Sequence, residues 1–237
     1  MSICKVNMKS IPLEKDLDWW WYRAKENLLR HILSKENRDR YKNILEIGPG
    51  YGNNLKLLSS YGDVDILETD NSFIKYLQMN LSGEYIKSYQ KLPQILNKYD
   101  LIIMLDVLEH IEKIKEFMKT VNHLLKKDGL LIIGVPAYKS LWSEHDVNLK
   151  HYRRYSWKTL REDCSSFRIK NRYGFNYLTL PLRFLQIKLN PKASTTKTHG
   201  DFVNFILYKI SEIEKYFRII GINPKFGISI YASFVKK

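Results

Sequence analysis

A short apolar run that ends in three closely spaced glycines does most to limit what this chain can become: NILEIGPGYGN, residues 43–53. Ile44, Leu45 and Ile47 read as a buried strand, Gly48, Gly50 and Gly52 as a turn, and the residues after them as a helix. A strand that ends this way brings bare backbone against a ligand, because glycine has no Cβ to block the approach. Glu68 closes the next apolar run (Val64, Ile66, Leu67), twenty positions after Gly48. That spacing suits a carboxylate that accepts the hydroxyls of a ribose. Together the two features predict a site for a nucleoside-containing cofactor.

The turn itself narrows the choice. A dinucleotide fold carries G-x-G-x-x-G and meets a pyrophosphate at a helix N-terminus. Here the spacing is G-x-G-x-G, and Pro49 removes one amide donor. Glu46, just before the first glycine, would oppose a pyrophosphate but suits a cationic amino-acid ligand. These points favour S-adenosylmethionine, which carries an ammonium and a sulfonium and no phosphate, over NAD. The plain alternative is a tight turn with no ligand; Glu68 and the later segments weigh against it.

Residues 16–38 have a helical apolar spacing in Trp20, Ala24, Leu28 and Ile32, with Trp19, Trp21 and Tyr22 thickening its start. Strands and helices then alternate: strand 43–47, helix 52–60, strand 64–68, helix 71–80 capped by Asn71 or Ser72, and a short strand near 85–87. Strand 100–105, helix 114–125, a turn at 127–129 and strand 130–135 follow. Such alternation predicts an α/β, Rossmann-like parallel sheet with helices on both faces. Ligands bind such sheets beyond the carboxyl ends of the strands. Gly48, Glu68, Asp106 and Pro136 all fall there, on independent segments.

After residue 136 the alternation weakens into a long irregular stretch, 137–155. A helix from Ser156 to Cys164 and a strand at 167–173 follow. An apolar stretch at 175–189, a polar one at 190–200, a helix at 201–220 and a last strand at 226–235 complete the chain. The expected organisation is one domain over 1–237: an N-terminal helix (16–38), a cofactor-binding core (43–136), and a substrate-side loop and helical insertion (137–222).

The chain has 237 residues and a formal net charge of +14, a balance that attracts polyanions or phosphorylated small molecules. Two cysteines far apart, Cys4 and Cys164, read more simply as reduced thiols than as a disulfide. The N-terminus lacks an apolar signal core, and no run is apolar enough to span a membrane. The expectation is a cytoplasmic protein with at most peripheral membrane contact. Nothing in the sequence sets an oligomeric state.

ILEIGPGYG, Glu68 and YDLIIMLDVLEHIEK together resemble the class I S-adenosylmethionine-dependent methyltransferases, over about residues 43–135. The resemblance implies a seven-stranded sheet whose last strand is antiparallel, with an insertion before that strand. It implies S-adenosylmethionine as cofactor, with Glu46, Gly48, Gly50 and Gly52 along its methionine and ribose and Glu68 on the ribose hydroxyls. Thr69 and Asp70 would border the adenine, and Asp106 and Val107 would face the methionine end. Glu109 and His110 match the same segment, with His110 expected to pack or cap. Relatives often place an acidic residue after the third strand; here the region reads KSYQK, so Ser88 or Gln90 takes that place. VPA, LWSEHD and HYRRY, after the fifth strand, resemble a subgroup found in company with sugar-transfer genes, a hint of a saccharide acceptor.

If the acceptor is a hydroxyl or an amine, a base near the methyl group must take a proton. His145, Asp146 and His151 are the candidates, in the loop that leaves the fifth strand; a carboxylate beside His145 would make it a tunable base. Tying the loop down is their alternative role. Trp142, Arg153, Arg154 and Tyr155 are the candidate substrate contacts. Between residues 137 and 173 nine Lys or Arg oppose four Asp or Glu. Arginine forks match phosphate or carboxylate oxygens, which favours an anionic small-molecule or lipid-linked acceptor. The apolar stretch 175–189 is expected to be core or lid rather than a membrane contact. No metal site is expected. The competing functions are a nucleic-acid methyltransferase, disfavoured because no Asn-Pro-Pro-aromatic motif is present, and a cofactor-binding protein without turnover.

Overall fold

The computed structural model describes residues 20–36, 41–189 and 200–237. Trp19, Cys4, the first residues of the expected N-terminal helix and the polar stretch 190–199 lie outside them. Seven strands form one sheet in the order β3-β2-β1-β4-β5-β7-β6. They are β1 (Asn43–Ile47), β2 (Asp63–Leu67), β3 (Lys87–Tyr89), β4 (Tyr99–Leu105), β5 (Leu125–Pro136), β6 (Phe167–Phe175) and β7 (Ser229–Lys236). β1 to β5 pair in parallel, and β7 runs antiparallel between β5 and β6. This is the Rossmann-like sheet with a reversed last strand that the resemblance implied.

The core is sorted by strand periodicity. Along β4, Ile102 and Met104 join one buried cluster while Leu101 and Ile103 join the other, because successive side chains point to opposite faces. α4 (Ile114–Leu124) covers the first face with Ile114, Phe117, Val121 and Leu124. α1 (Trp20–Lys35), α2 (Leu55–Ser59) and α3 (Asn71–Asn80) cover the second, through Leu28, Leu29, Ile32, Leu58 and Leu77. Each such buried aliphatic side chain stabilises the fold by about 1.5–3 kcal/mol. Order reverses between β1 and β4: from β1 the chain goes first to β2 on one side, then to β4 on the other. A crevice opens at such a switch point.

Several boundaries differ from expectation for local reasons. α2 begins at Leu55 rather than Gly52, since residues 50–54 are spent on turns. α3 is capped by Asp70, not Asn71 or Ser72: Asp70 is extended and its side chain accepts from the Ser72 amide at 2.8 Å. β5 starts at Leu125, and its pairing with β4 skips from Leu125 to Leu130. The stretch expected to be irregular holds a 3₁₀ turn (Lys139–Leu141) and α5 (Glu144–Asn148), which is too short to show a period. α6 (Trp157–Asp163) has Ser156 as its cap, as expected.

α7 (Leu180–Leu189) and α8 (Asp201–Ile219) fall between β6 and β7 in the chain. α7 is not a core helix: it buries only Arg183 and leaves Leu182, Phe184, Leu185 and Leu189 exposed. Among the described residues no helix is long and apolar enough to cross a membrane. Cys164 is buried and unbridged.

Candidate active site

The glycine turn after β1 divides into two kinds of glycine. All three have positive φ: +71° at Gly48, +56° at Gly50 and +77° at Gly52. A Cβ on Gly48 would lie 2.8 Å from Val107, and one on Gly52 within 2.9 Å of Leu55, Leu77 and Leu81. Those two glycines are required by packing. A Cβ on Gly50 would meet nothing within 4 Å, so its backbone faces open space.

Glu68 closes one side of that space. Its Oε1 accepts from the amides of Thr69 (2.7 Å) and Asp70 (3.0 Å), and its Oε2 from the amide of Gly50 (3.2 Å). A carboxylate offers about four lone-pair sites, so Oε2 retains room for a donor. Burial pushes the Glu68 pKa up, and the three amides oppose that shift. Glu46 accepts from Asn54 Nδ2 at 2.8 Å through Oε1, while its buried Oε2 has no partner. Burial raises its pKa to about 7. A buried acceptor with a free lone pair beside a bare backbone fits a cationic donor, and so fits the ammonium of S-adenosylmethionine.

Asp106 follows β4 with a φ of +55°, and its amide continues the ladder to Gly134 O at 2.9 Å. Lys25, from α1, reaches the Asp106 carboxylate and lies 5.1 Å from the Trp21 ring centroid. Sequence reasoning missed Lys25; its only signal was a lysine one turn after Trp21. At the far edge, Ser88 lies within β3 beside Ile66, whereas Gln90 follows the strand and bonds Asn71 at 3.2 Å. Gln90 is thus the one at the carboxyl end of β3.

The segment after β5 is built on different terms from those its residue types suggested. Asp146 is fully buried. It accepts from Ser143 N (2.9 Å) and Arg154 Nε (2.7 Å) and pairs with His151 Nδ1 (2.9 Å). These partners hold its carboxyl well below the usual range against the opposing effect of burial. The carboxylate expected beside His145 is therefore given to His151. His145 has a buried Nδ1 without a partner, and burial lowers its pKa to about 4.

The two arginines are likewise engaged. Arg154 also donates to Ala137 O at 3.1 Å. Arg153 donates to Ile111 O (2.9 Å) and Glu112 O (3.0 Å). The paired guanidinium fork expected for an anion is thus spent on the protein, because a buried charge and a run of free carbonyls both require partners. Tyr155, expected to face substrate, is buried in the core with its hydroxyl 3.4 Å from Leu108 O. Trp142 is half-buried at the end of the 3₁₀ turn.

His151 faces a second group, on the segment after β4. Its ring centroid lies 4.6 Å from that of His110 and 6.3 Å from that of His145. Glu109, 1% exposed, leaves Oε2 without a partner, and burial and then Asp106 push its pKa well up. Burial, then His151, lowers the His110 pKa to about 4. Glu109 and His110 were legible as part of the DVLEHI segment but not as members of a site shared with His151.

A methyltransferase-domain family model matches residues 20–178. The chain belongs to that family. A ubiquinone biosynthesis O-methyltransferase of Rickettsia bellii is 29% identical over 113 residues, covering 45% of this chain and 47% of the relative. The chain thus spans about half the length of the curated relatives it matches. Among solved structures, the Haemonchus contortus phosphoethanolamine N-methyltransferase 2 with S-adenosyl-L-methionine aligns with a TM-score of 0.57 at 14% identity. That alignment covers 90% of this chain and 52% of the other. The N-methyltransferase NodS of Bradyrhizobium japonicum WM9 with S-adenosyl-l-homocysteine aligns with a TM-score of 0.54 at 14% identity, covering 90% and 85%. These likenesses carry the family's sheet into this chain.

Proposed function

We propose that this family member is an S-adenosylmethionine-dependent methyltransferase that acts on a hydroxyl of a small-molecule or lipid-linked acceptor. The single observation that supports the cofactor is the open space at Gly50, flanked by a spare lone pair on Glu68 and an unpaired buried oxygen on Glu46. Glu68 would hold the ribose hydroxyls, Glu46 and Asp106 the ammonium side, and Gly48 with Val107 the floor beneath the methionine. Thr69 and Gln90 would border the adenine. When bound, the cofactor supplies an electrophilic methyl group on a sulfonium that leaves as a neutral thioether.

The chain's own task is alignment and exclusion of water, since the leaving group is already good. A hydroxyl acceptor must also lose its proton. Glu109, His110, His145 and His151 lie together near Asp106, and the unpaired Glu109 Oε2, His110 Nδ1 and His145 Nδ1 are the groups able to take or ease off that proton. The Rickettsia relative's name, an O-methyltransferase of ubiquinone biosynthesis, agrees with an oxygen acceptor. Anionic character now draws on the net charge of +14 rather than on Arg153 and Arg154. A lipid-linked acceptor is favoured by the exposed Leu182, Phe184 and Leu185 of α7, whose Arg183 bonds Ser143 Oγ at 3.2 Å and so ties α7 to the loop after β5.

Calorimetric titration with S-adenosylhomocysteine and with NAD tests the cofactor: micromolar binding of the first and none of the second is expected. Failure of S-adenosylhomocysteine to bind would remove the proposal. Flotation with anionic vesicles tests the lipid side; absence of co-migration restricts the acceptor to a soluble molecule.

A further inference from the structure

We propose that Glu109, His110 and His151 form a binding site for a divalent transition-metal cation at the acceptor side of the cleft. One donor atom from each, a carboxylate oxygen and two imidazole nitrogens, lies within 4.8 Å of the other two. That spread closes around an ion at about 2.0–2.2 Å from each donor with small side-chain rotations. Two imidazoles with one carboxylate are the donor set of zinc, iron, cobalt and manganese rather than of calcium or magnesium.

Three independent features point to an ion rather than to packing. Glu109 is 1% exposed, yet its Oε2 has no hydrogen-bond partner. An unpaired buried carboxylate oxygen is costly unless a donor or a cation meets it. Secondly, His110 Nδ1 is buried and unpartnered. Thirdly, His151 gives Nδ1 to Asp146 at 2.9 Å. His151 thus has one ring nitrogen oriented by a carboxylate, as metal-ligating histidines do, and His110 keeps a buried nitrogen without a partner. The Asp146 carboxylate is itself fixed by Ser143 and Arg154.

Backbone geometry supports the same grouping. Glu109 and His110 form a 3₁₀ turn directly after β4, and the Tyr152 amide donates to Glu109 O at 2.8 Å. The loop carrying His151 is therefore pinned to the turn carrying the other two donors. Three protein donors leave coordination positions open. An acceptor hydroxyl that fills one becomes more acidic, its proton passing to solvent, as water does on a bound divalent cation.

The inference deepens the proposed reaction and rests on it only for that last step. The test is a titration of tag-free, chelator-treated full chain with Co²⁺ alone, followed by its visible absorption, with Zn²⁺ as competitor. One equivalent per chain is expected, with binding weakened at least tenfold in Glu109→Gln and in His151→Ala. S-adenosylhomocysteine is titrated into the same preparations and should bind within about threefold of the unsubstituted chain, which shows that the variants are folded. Glu109→Gln is nearly isosteric, so it keeps the test usable if His151→Ala unfolds. Cobalt binding that is absent from the unsubstituted chain at millimolar metal, or unchanged by Glu109→Gln, overturns the site. A chain that binds S-adenosylhomocysteine but no cobalt loses only this inference. One that binds cobalt but no S-adenosylhomocysteine loses the proposed methyl transfer instead.

Discussion

The glycine turn after β1 and the loop after β5 both follow the carboxyl ends of parallel strands, yet they are built in opposite ways. The turn exposes bare backbone to open space at Gly50 and leaves Glu46 Oε2 unpaired. The loop is filled: Asp146 is buried under four hydrogen bonds from Ser143, His151 and Arg154, and Arg153 and Arg154 are bonded to carbonyls and carboxylates. Judged by residue type alone, the loop is the more reactive of the two. Residue type is a poor guide there, because a loop rich in charge must satisfy that charge internally once it is buried. Readiness for a ligand shows instead as donors and acceptors that the protein leaves unused.

That contrast can be broken from either side. The largest effect should come from Asp146→Ala, which strands the buried Arg154 and frees His151. Removing one member of a buried pair costs about 3–5 kcal/mol, or roughly 10 °C in a chain of this size. Thermal denaturation followed by circular dichroism measures it, and a loss under about 1 kcal/mol would show the network to be ornamental. Glu68→Gln should act on the ligand instead. Loss of a charged acceptor for the ribose is worth about 1.5–3 kcal/mol, hence about a 10- to 100-fold weaker S-adenosylhomocysteine. Calorimetry reporting unchanged affinity would remove Glu68 from the site.

The pH dependence isolates Glu46. Its folded pKa, about 7, is above the ordinary 4.5. The native chain therefore holds this proton more tightly than the unfolded one, and the group's contribution to stability falls as pH rises from about 4.5 through about 7. A cationic ligand favours the ionised form. Binding of S-adenosylmethionine should thus expel a proton near pH 6 and tighten as pH rises through that window. Calorimetry in two buffers of different ionisation enthalpy reads the proton, and Glu46→Gln should abolish it.

Smaller effects sharpen the comparison. Gly50→Ala places a Cβ in open space and costs about 1 kcal/mol through its left-handed backbone alone, while obstructing the ligand. Gly52→Ala adds clashes with three leucines and should destabilise more while affecting ligand less. Paired melting and binding curves for the two variants would separate a ligand-facing glycine from a packing glycine. Arg153→Ala should be the mildest, at most about 1 kcal/mol, with acceptor KM unchanged. A large rise in KM would return Arg153 to the substrate site.

Much of the first half was legible because its signals are local. β4 is an unbroken apolar run, and its alternation between two core clusters follows from strand geometry alone. Gly48, Glu68 and Asp106 lie at the strand ends where the apolar runs stop. The substrate side was less legible. α5 has five residues, too few for a period, and α7 carries an apolar sequence that the fold leaves largely exposed. Lys25 and Asp106 are 81 positions apart, and no pattern within the N-terminal helix announces the pair.

By itself, the order of apolar runs, glycines and strand-end carboxylates determined a doubly covered, mostly parallel sheet with the candidate cofactor residues at the carboxyl ends of its strands. Periodicity and missing Cβ atoms act over a few residues, so a linear chain records them. Which partner each charged group takes was decided only in three dimensions. Asp146 went to His151 and Arg154 rather than to His145, and Glu109 and His110 met His151 across 41 positions or more. Pairing energies depend on distance and burial, and those are set by how the loops after β4 and β5 are pinned together.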